Sequence, residues 1–283
     1  MASYTHPTFD RRRLLAGALG IGVTAATGAL AAPARAATGA GPGARGVRLR
    51  TRGTDLEIIG CGEWGARPPL EPVVVLDAPP QRIVVHHTAT ANVTDYSRQR
   101  ALALSRAIQN YHMDTHGWID TGQHFTVSRG AFVTEGRHAS LEELEGGARM
   151  VRAAHCVGQN SSAIGIENEG TYMKVAPPAA QFAGLVALCA HICRQYGLSP
   201  AEIYGHRDFN QTDCPGDRLY ALLPRLREEV AGQLGEAPQE PALQLADAAG
   251  RPPWTGPSEY VPDHVFEREL RRAGLPGTGA RRS

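Results

Sequence analysis

The chain has 283 residues, five cysteines and a formal charge of +1 at pH 7, from 29 basic against 28 acidic side chains. So even a balance argues against a nucleic-acid binder, which carries a basic face, and gives no electrostatic reason for tight binding to anionic polymers. The length suits one full α/β domain with peripheral segments.

Residues 1–36 read as an address rather than as structure. Asp10-Arg11-Arg12-Arg13-Leu14-Leu15 is a twin-arginine pattern; a weakly apolar Ala/Gly run to Ala32 follows, then the small-x-small site Ala34-Arg35-Ala36. Such a run suits twin-arginine export better than lasting anchorage. Nothing downstream reaches the ~18 apolar residues that span a bilayer. The expectation is a secreted protein starting near Ala37, without stable membrane insertion. Losing Arg11, Arg12, Arg13 and Arg35 against Asp10 turns its charge to −2. Residues 37–56, rich in Gly, Ala and Arg from Thr38 to Arg50, are expected to form a flexible leader.

The folded domain is expected over 57–235. Ile83-Val84-Val85 is a β-branched run entering His86, the pattern of a strand buried on both faces. Ala101, Leu104, Ile108 and Tyr111 recur at helical spacing from about Ser97 to Met113. Gln123 to Val127 and Ala131 to Glu135 read as a hairpin through Ser128-Arg129-Gly130. Ile164 to Glu169 is a further inner strand. Pro177-Pro178 opens a helix with the stripe Phe182, Leu185, Val186, Cys189, Cys193 and Tyr196, and Gly197 ends it. Asp217 to Leu222 makes a helical turn, and Pro224 opens a last helix buried through Leu226, Val230 and Leu234. Strands interleaved with helices give an α/β fold, a mixed central β-sheet flanked by helices. Residues 236–283 shift to Gly, Pro, Ala and Glu and form a tail in which 263–273 has the pattern of a short helix. There is no internal repeat.

Three residues stand out chemically. His86 ends an inner strand, while His206 and Cys214 sit eight positions apart in the loop Gly205-His206-Arg207-Asp208…Thr212-Asp213-Cys214-Pro215-Gly216. Two imidazoles and a thiolate suit Zn²⁺, and three protein ligands leave a fourth tetrahedral position for water, as in catalytic sites. A Gly/Pro/Asp/Asn-rich loop is also a poor place for a core thiol. Of the other cysteines, Cys189 and Cys193 lie one turn apart on an apolar stripe, where a mutual bridge would be strained. They read as buried small hydrophobes, or, since export permits disulfides, one of them bridges to Cys61.

The strand ending Val85-His86-His87-Thr88, the segment Gly117-Trp118-Ile119-Asp120-x-Gly122-x-His124-Phe125, the block Ala154-His155-Cys156-x-Gly158-x-Asn160-Ser161…Ile164-Gly165-Ile166-Glu167 and the Gly205–Gly216 loop occur in that order. Together they resemble the type 2 N-acetylmuramoyl-L-alanine amidases, a superfamily that includes the peptidoglycan recognition proteins. The resemblance covers roughly residues 57–234 and implies one Zn²⁺ per chain, held at the strand end by His86, His206 and Cys214. It also implies peptidoglycan or muropeptides as partner, cleavage of the lactyl–L-Ala amide, a cell-wall location and a monomer.

Recognition proteins and phage amidases carry a Tyr where this chain has Gln123, which does no acid–base work. Gly165-Ile166-Glu167-Asn168-Glu169-Gly170 matches instead the anhydromuropeptide amidases, whose Glu takes that role. Strand alternation puts Glu167 and Glu169 on one face, and the resemblance selects Glu167, leaving Glu169 as a solvated strand-end carboxylate. Thr212 falls where relatives help hold the zinc water or the oxyanion, while His155, Gln123 and Asn160 are candidate substrate contacts. His87 reads as structural or as a support behind the site. Two other readings stay open: a binding-only recognition protein, against which the retained Cys214 speaks, and a zinc peptidase acting on the stem peptide.

Overall fold

A computed structural model of the protein describes residues 35–36, 47–51, 54–241, 268, 271–272 and 274–275. The expected signal segment lies outside them except for β1 (Arg35–Ala36), at the expected cleavage site, which pairs antiparallel with Val74 and Val75. Of the helix expected over 263–273, Arg268, Arg271 and Arg272 are described, and all three are helical.

Residues 37–56 are not all loose. β2 (Val47–Thr51) and β3 (Thr54–Ile59) form an antiparallel pair in which Val47 faces Ile58 and Leu49 faces Leu56. That alternation is a strand signal, and the Gly/Ala/Arg-rich composition around it obscures it. A short turn α1 (Cys61–Trp64) and the strand β4 (Val74–Leu76) follow.

β5 (Arg82–His87) is the central strand. α2 (Arg98–Asp114) starts where Ser97 caps it by accepting from the Arg100 N–H at 3.2 Å. β6 (Phe125–Val127) and β7 (Val133–Glu135) make the expected hairpin. α3 (Ser140–Gly146), β8 (Met150–Val151) and β9 (Ala163–Asn168) come next. α4 (Ala179–Tyr196) begins after Pro177-Pro178 and stops at Gly197, which adopts the left-handed φ of 66°. β10 (Ile203–Gly205), α5 (Asp217–Tyr220) and α6 (Leu223–Leu234), with Pro224 in its first turn, complete the domain.

The main sheet has the order β10-β5-β9-β6-β7-β3-β2, and β1-β4-β8 form a smaller one. The main sheet is mixed: β10, β5, β9 and β6 run parallel, while β6/β7 and β2/β3 are antiparallel. Its two faces differ in kind. Ile83, Val85, Phe125, Val127, Ile164, Ile166 and Ile203 join Leu185, Leu188 and Ile192 of α4 and Leu226 and Val230 of α6 in one apolar cluster. The alternate positions Thr126, Thr134, Gly165, Glu167 and His86 form a buried polar face. α2 reaches that side, with Ser105 Oγ 2.8 Å from Thr134 Oγ1.

This two-sidedness decides between the two readings of the cysteines, against a Cys61 bridge and for buried small hydrophobes. Cys189 and Cys193 pack in the apolar cluster with Ile58, whereas Cys61 packs with its neighbour Ile59 and with Trp64 in a separate cluster. Cys61 donates instead to the Gly136 carbonyl at 3.3 Å, and none of the five cysteines is in a disulfide. No helix among the described residues is long and apolar enough to cross a membrane.

Candidate metal centre

The carboxyl ends of parallel strands are where open α/β sheets place their sites, and two neighbouring strands deliver both histidines there. His86 lies near the end of β5, and His206 directly follows β10, which pairs with β5 through Gly205 opposite Val85. Gly205–Asp208 is a tight turn held by Asp208 Oδ2, which accepts the Gly205 N–H at 2.8 Å. The chain then returns through Cys214, whose carbonyl accepts the Arg207 N–H at 3.0 Å. The ligand atoms of His86, His206 and Cys214 lie within 4.8 Å of one another, and all three residues are buried.

Donor chemistry and orientation fit a metal. Cys214 Sγ lies 3.6 Å from His86 Nδ1, and the His87 backbone N–H points at the same sulfur at 3.4 Å, a donor suited to a thiolate. The His87 ring is engaged elsewhere, its Nδ1 accepting from the Tyr172 N–H at 3.2 Å.

Glu167 sits opposite His86 in the β5–β9 register and opposite Thr126 in the β9–β6 register, which places it on the polar face beside the candidate metal donor His86. Glu169, expected to be solvated, is fully buried. Its Oε1 pairs with Arg100 Nε at 3.1 Å and its Oε2 accepts the Arg129 N–H at 2.8 Å. The strand has ended by then, and Arg100, on the inner face of α2, draws the carboxylate in.

The remaining candidates divide. Thr212 Oγ1 accepts the Cys214 N–H at 3.2 Å, which places its hydroxyl beside the ligand loop. Gln123 donates through Nε2 to Thr126 Oγ1 at 3.0 Å, and its Oε1 is buried with no hydrogen-bond partner among the described residues. Asn160 Oδ1 is taken up by the His155 and Cys156 N–H groups at 2.7 and 2.9 Å. The His155 ring lies against Gly165, where a Cβ would come within 2.4 Å of it. Its nitrogens reach His86 Nε2 at 3.0 Å and the Ala163 carbonyl at 3.2 Å. Burial, and then the neighbouring His86, hold the His155 ring well below the ordinary imidazole range. Both Asn160 and His155 are thus engaged with the protein itself.

Two residues escaped the sequence reading. Arg100 is a charge at a buried position of α2. Asn210 stands four residues after His206, close enough in a tight turn for its Oδ1 to lie 3.0 Å from His206 Nε2.

The family model for N-acetylmuramoyl-L-alanine amidase matches residues 76–217, the stretch that holds all three ligands and Glu167. The chain belongs to this amidase family. It is 34% identical over 164 residues to the human N-acetylmuramoyl-L-alanine amidase, covering 56% of this chain but 26% of that protein. It is also 34% identical over 168 residues to peptidoglycan recognition protein 1 of Bos indicus, covering 59% of this chain and 82% of that one. Among solved structures, a Drosophila PGRP-LB variant in complex with tracheal cytotoxin superposes with a TM-score of 0.51 at 27% identity, covering 58% of this chain and 90% of that one. The family resemblance and the mixed sheet flanked by helices expected from the sequence are both borne out.

Proposed function

We propose that this amidase-family chain is an exported zinc N-acetylmuramoyl-L-alanine amidase, which cuts the lactyl–L-Ala amide of peptidoglycan or its fragments. The observation that carries the proposal is the complete His86, His206 and Cys214 donor set on the same polar face as Glu167. The name of the human relative and the muropeptide in the PGRP-LB complex support the substrate class.

Zinc held by His86, His206 and Cys214 would supply Lewis acidity, polarising the amide carbonyl and acidifying water. Glu167 accepts the proton of the attacking water and returns it to the leaving nitrogen of L-alanine. Gln123 has no proton to exchange at neutral pH, so this transfer falls to Glu167 alone. The Thr212 oxygen is occupied as an acceptor, and its O–H is the donor for the developing oxyanion. His155 and Asn160 are spent on the protein, so substrate contacts are not assigned to them.

Metal analysis of the purified protein, with peptidoglycan digestion in the presence and absence of chelator, tests the reading. The expected products are intact stem peptides with an L-Ala N-terminus, abolished by chelator. Cleavage inside the stem would mean a peptidase; binding without cleavage would mean a recognition protein. Export rests on the Arg11-Arg12-Arg13 pattern. Replacing Arg11 and Arg12 by Lys should hold precursor inside the cell, and unchanged secretion would reject the twin-arginine route.

A further inference from the structure

We infer that His155 and Asn210 are positioning residues that lock His86 and His206 in the tautomer that presents Nδ1 to a metal. The inference rests on the zinc-site reading above and adds two residues to it.

At His86 the chain of hydrogen bonds starts from a carbonyl. Ala163 O can only accept, so the His155 Nε2 that faces it at 3.2 Å carries the hydrogen. A neutral ring has one such hydrogen, so His155 Nδ1 is an acceptor. It lies 3.0 Å from His86 Nε2, which must then be the donor. His86 Nδ1 is left with its lone pair, and that is the nitrogen 3.6 Å from Cys214 Sγ. Gly165 makes the arrangement possible, because any side chain there would displace the His155 ring.

A second, independent chain of bonds fixes His206. Asn210 Nδ2 donates to the Phe209 carbonyl at 3.0 Å and to the Val157 carbonyl at 3.4 Å. Both partners are acceptors, so the amide has one orientation, with Oδ1 turned inward. Oδ1 accepts from His206 Nε2 at 3.0 Å and from the Cys156 thiol at 3.3 Å. His206 Nε2 therefore holds the hydrogen and Nδ1 the lone pair. Partners of this kind orient metal-binding imidazoles and raise their basicity, and their loss typically lowers metal affinity by about 10–100-fold.

Long-range ¹H–¹⁵N NMR of the metal-free full chain reads the tautomers directly. The expected result is Nε2–H at both His86 and His206, and Nδ1–H at either ring overturns the assignment for that ring. Zinc affinity by chelator competition then tests the role. Asn210→Ala and His155→Phe should each bind zinc about 10–100-fold more weakly. Wild-type affinity in folded Asn210→Ala or His155→Phe would overturn the role of that residue. Should either variant fail to fold, the tautomers of the wild type still decide. A wild type that shows Nε2–H rings yet takes up no zinc would overturn the zinc reading and leave the tautomer assignment standing.

Discussion

Glu167 and Glu169 lie two positions apart on one sequence pattern, yet their surroundings give them different work. Glu167 is paired in register with His86 and Thr126, on the face that holds the candidate metal donors. Glu169 is consumed by Arg100 and the Arg129 N–H. Glu167→Ala should therefore keep the fold and its zinc while turnover falls by about 10²–10⁴-fold, the usual size of a general acid–base contribution. Steady-state rates on purified peptidoglycan, with metal content measured on the same sample, check this. Near-normal turnover would remove Glu167 from the mechanism. The candidate donor set His86, His206 and Cys214 could be read from residue type and loop composition alone. Asn210 could not, because its part depends on the Gly205–Asp208 turn bringing it back onto His206.

At the scale of elements, α2 is fastened to the sheet by polar contacts rather than by the apolar packing that holds α4. The pair Arg100–Glu169 is the deepest of these, with side chains 2% and 0% exposed. Taking away one partner of a buried ion pair costs about 3–5 kcal/mol, because the other charge stays in a site built to neutralise it. Glu169→Ala should accordingly lower the melting temperature strongly, whereas Glu167→Ala should leave it nearly unchanged. Equal melting of the two variants would contradict this division of labour. The same contrast shows what the sequence makes legible. α4 carries a long apolar stripe between Pro178 and Gly197, and α2 repeats Ala101, Leu104 and Ile108, so both helices are found close to their observed bounds. The β2–β3 pair and the burial of Glu169 are harder to see. One hides in a stretch whose composition looks like linker, and the other depends on a partner 69 residues away in sequence.

The whole molecule joins its small sheet to its large one partly through a single imidazole. His124 Nε2 donates to the Val151 carbonyl of β8 at 2.8 Å, and its Nδ1 accepts the Gly165 N–H of β9 at 3.0 Å. The ring must be neutral to accept there, and complete burial lowers its pKa to about 4 from 6.5. Between those values the unfolded chain binds a proton that the folded chain refuses. The stabilisation from the neutral ring is whole above pH 6.5 and drains away as pH falls towards 4. By pH 5 this amounts to about 2 kcal/mol, taking about 1.4 kcal/mol per pKa unit. His155, also held down by burial, pushes in the same direction. His138 opposes it: burial alone would lower its pKa, but Asp120 2.8 Å away raises it, and that contribution is lost as pH rises. The expected outcome is a protein that melts at lower temperature at pH 5 than at pH 7. In His124→Gln the amide can donate to Val151 and accept from Gly165 without titrating, so that variant should lose less on acidification even if it starts less stable. Thermal melts of the metal-free wild type and variant at the two pH values decide it. An identical pH dependence in the two proteins would remove His124 as the acid-sensitive joint between the sheets.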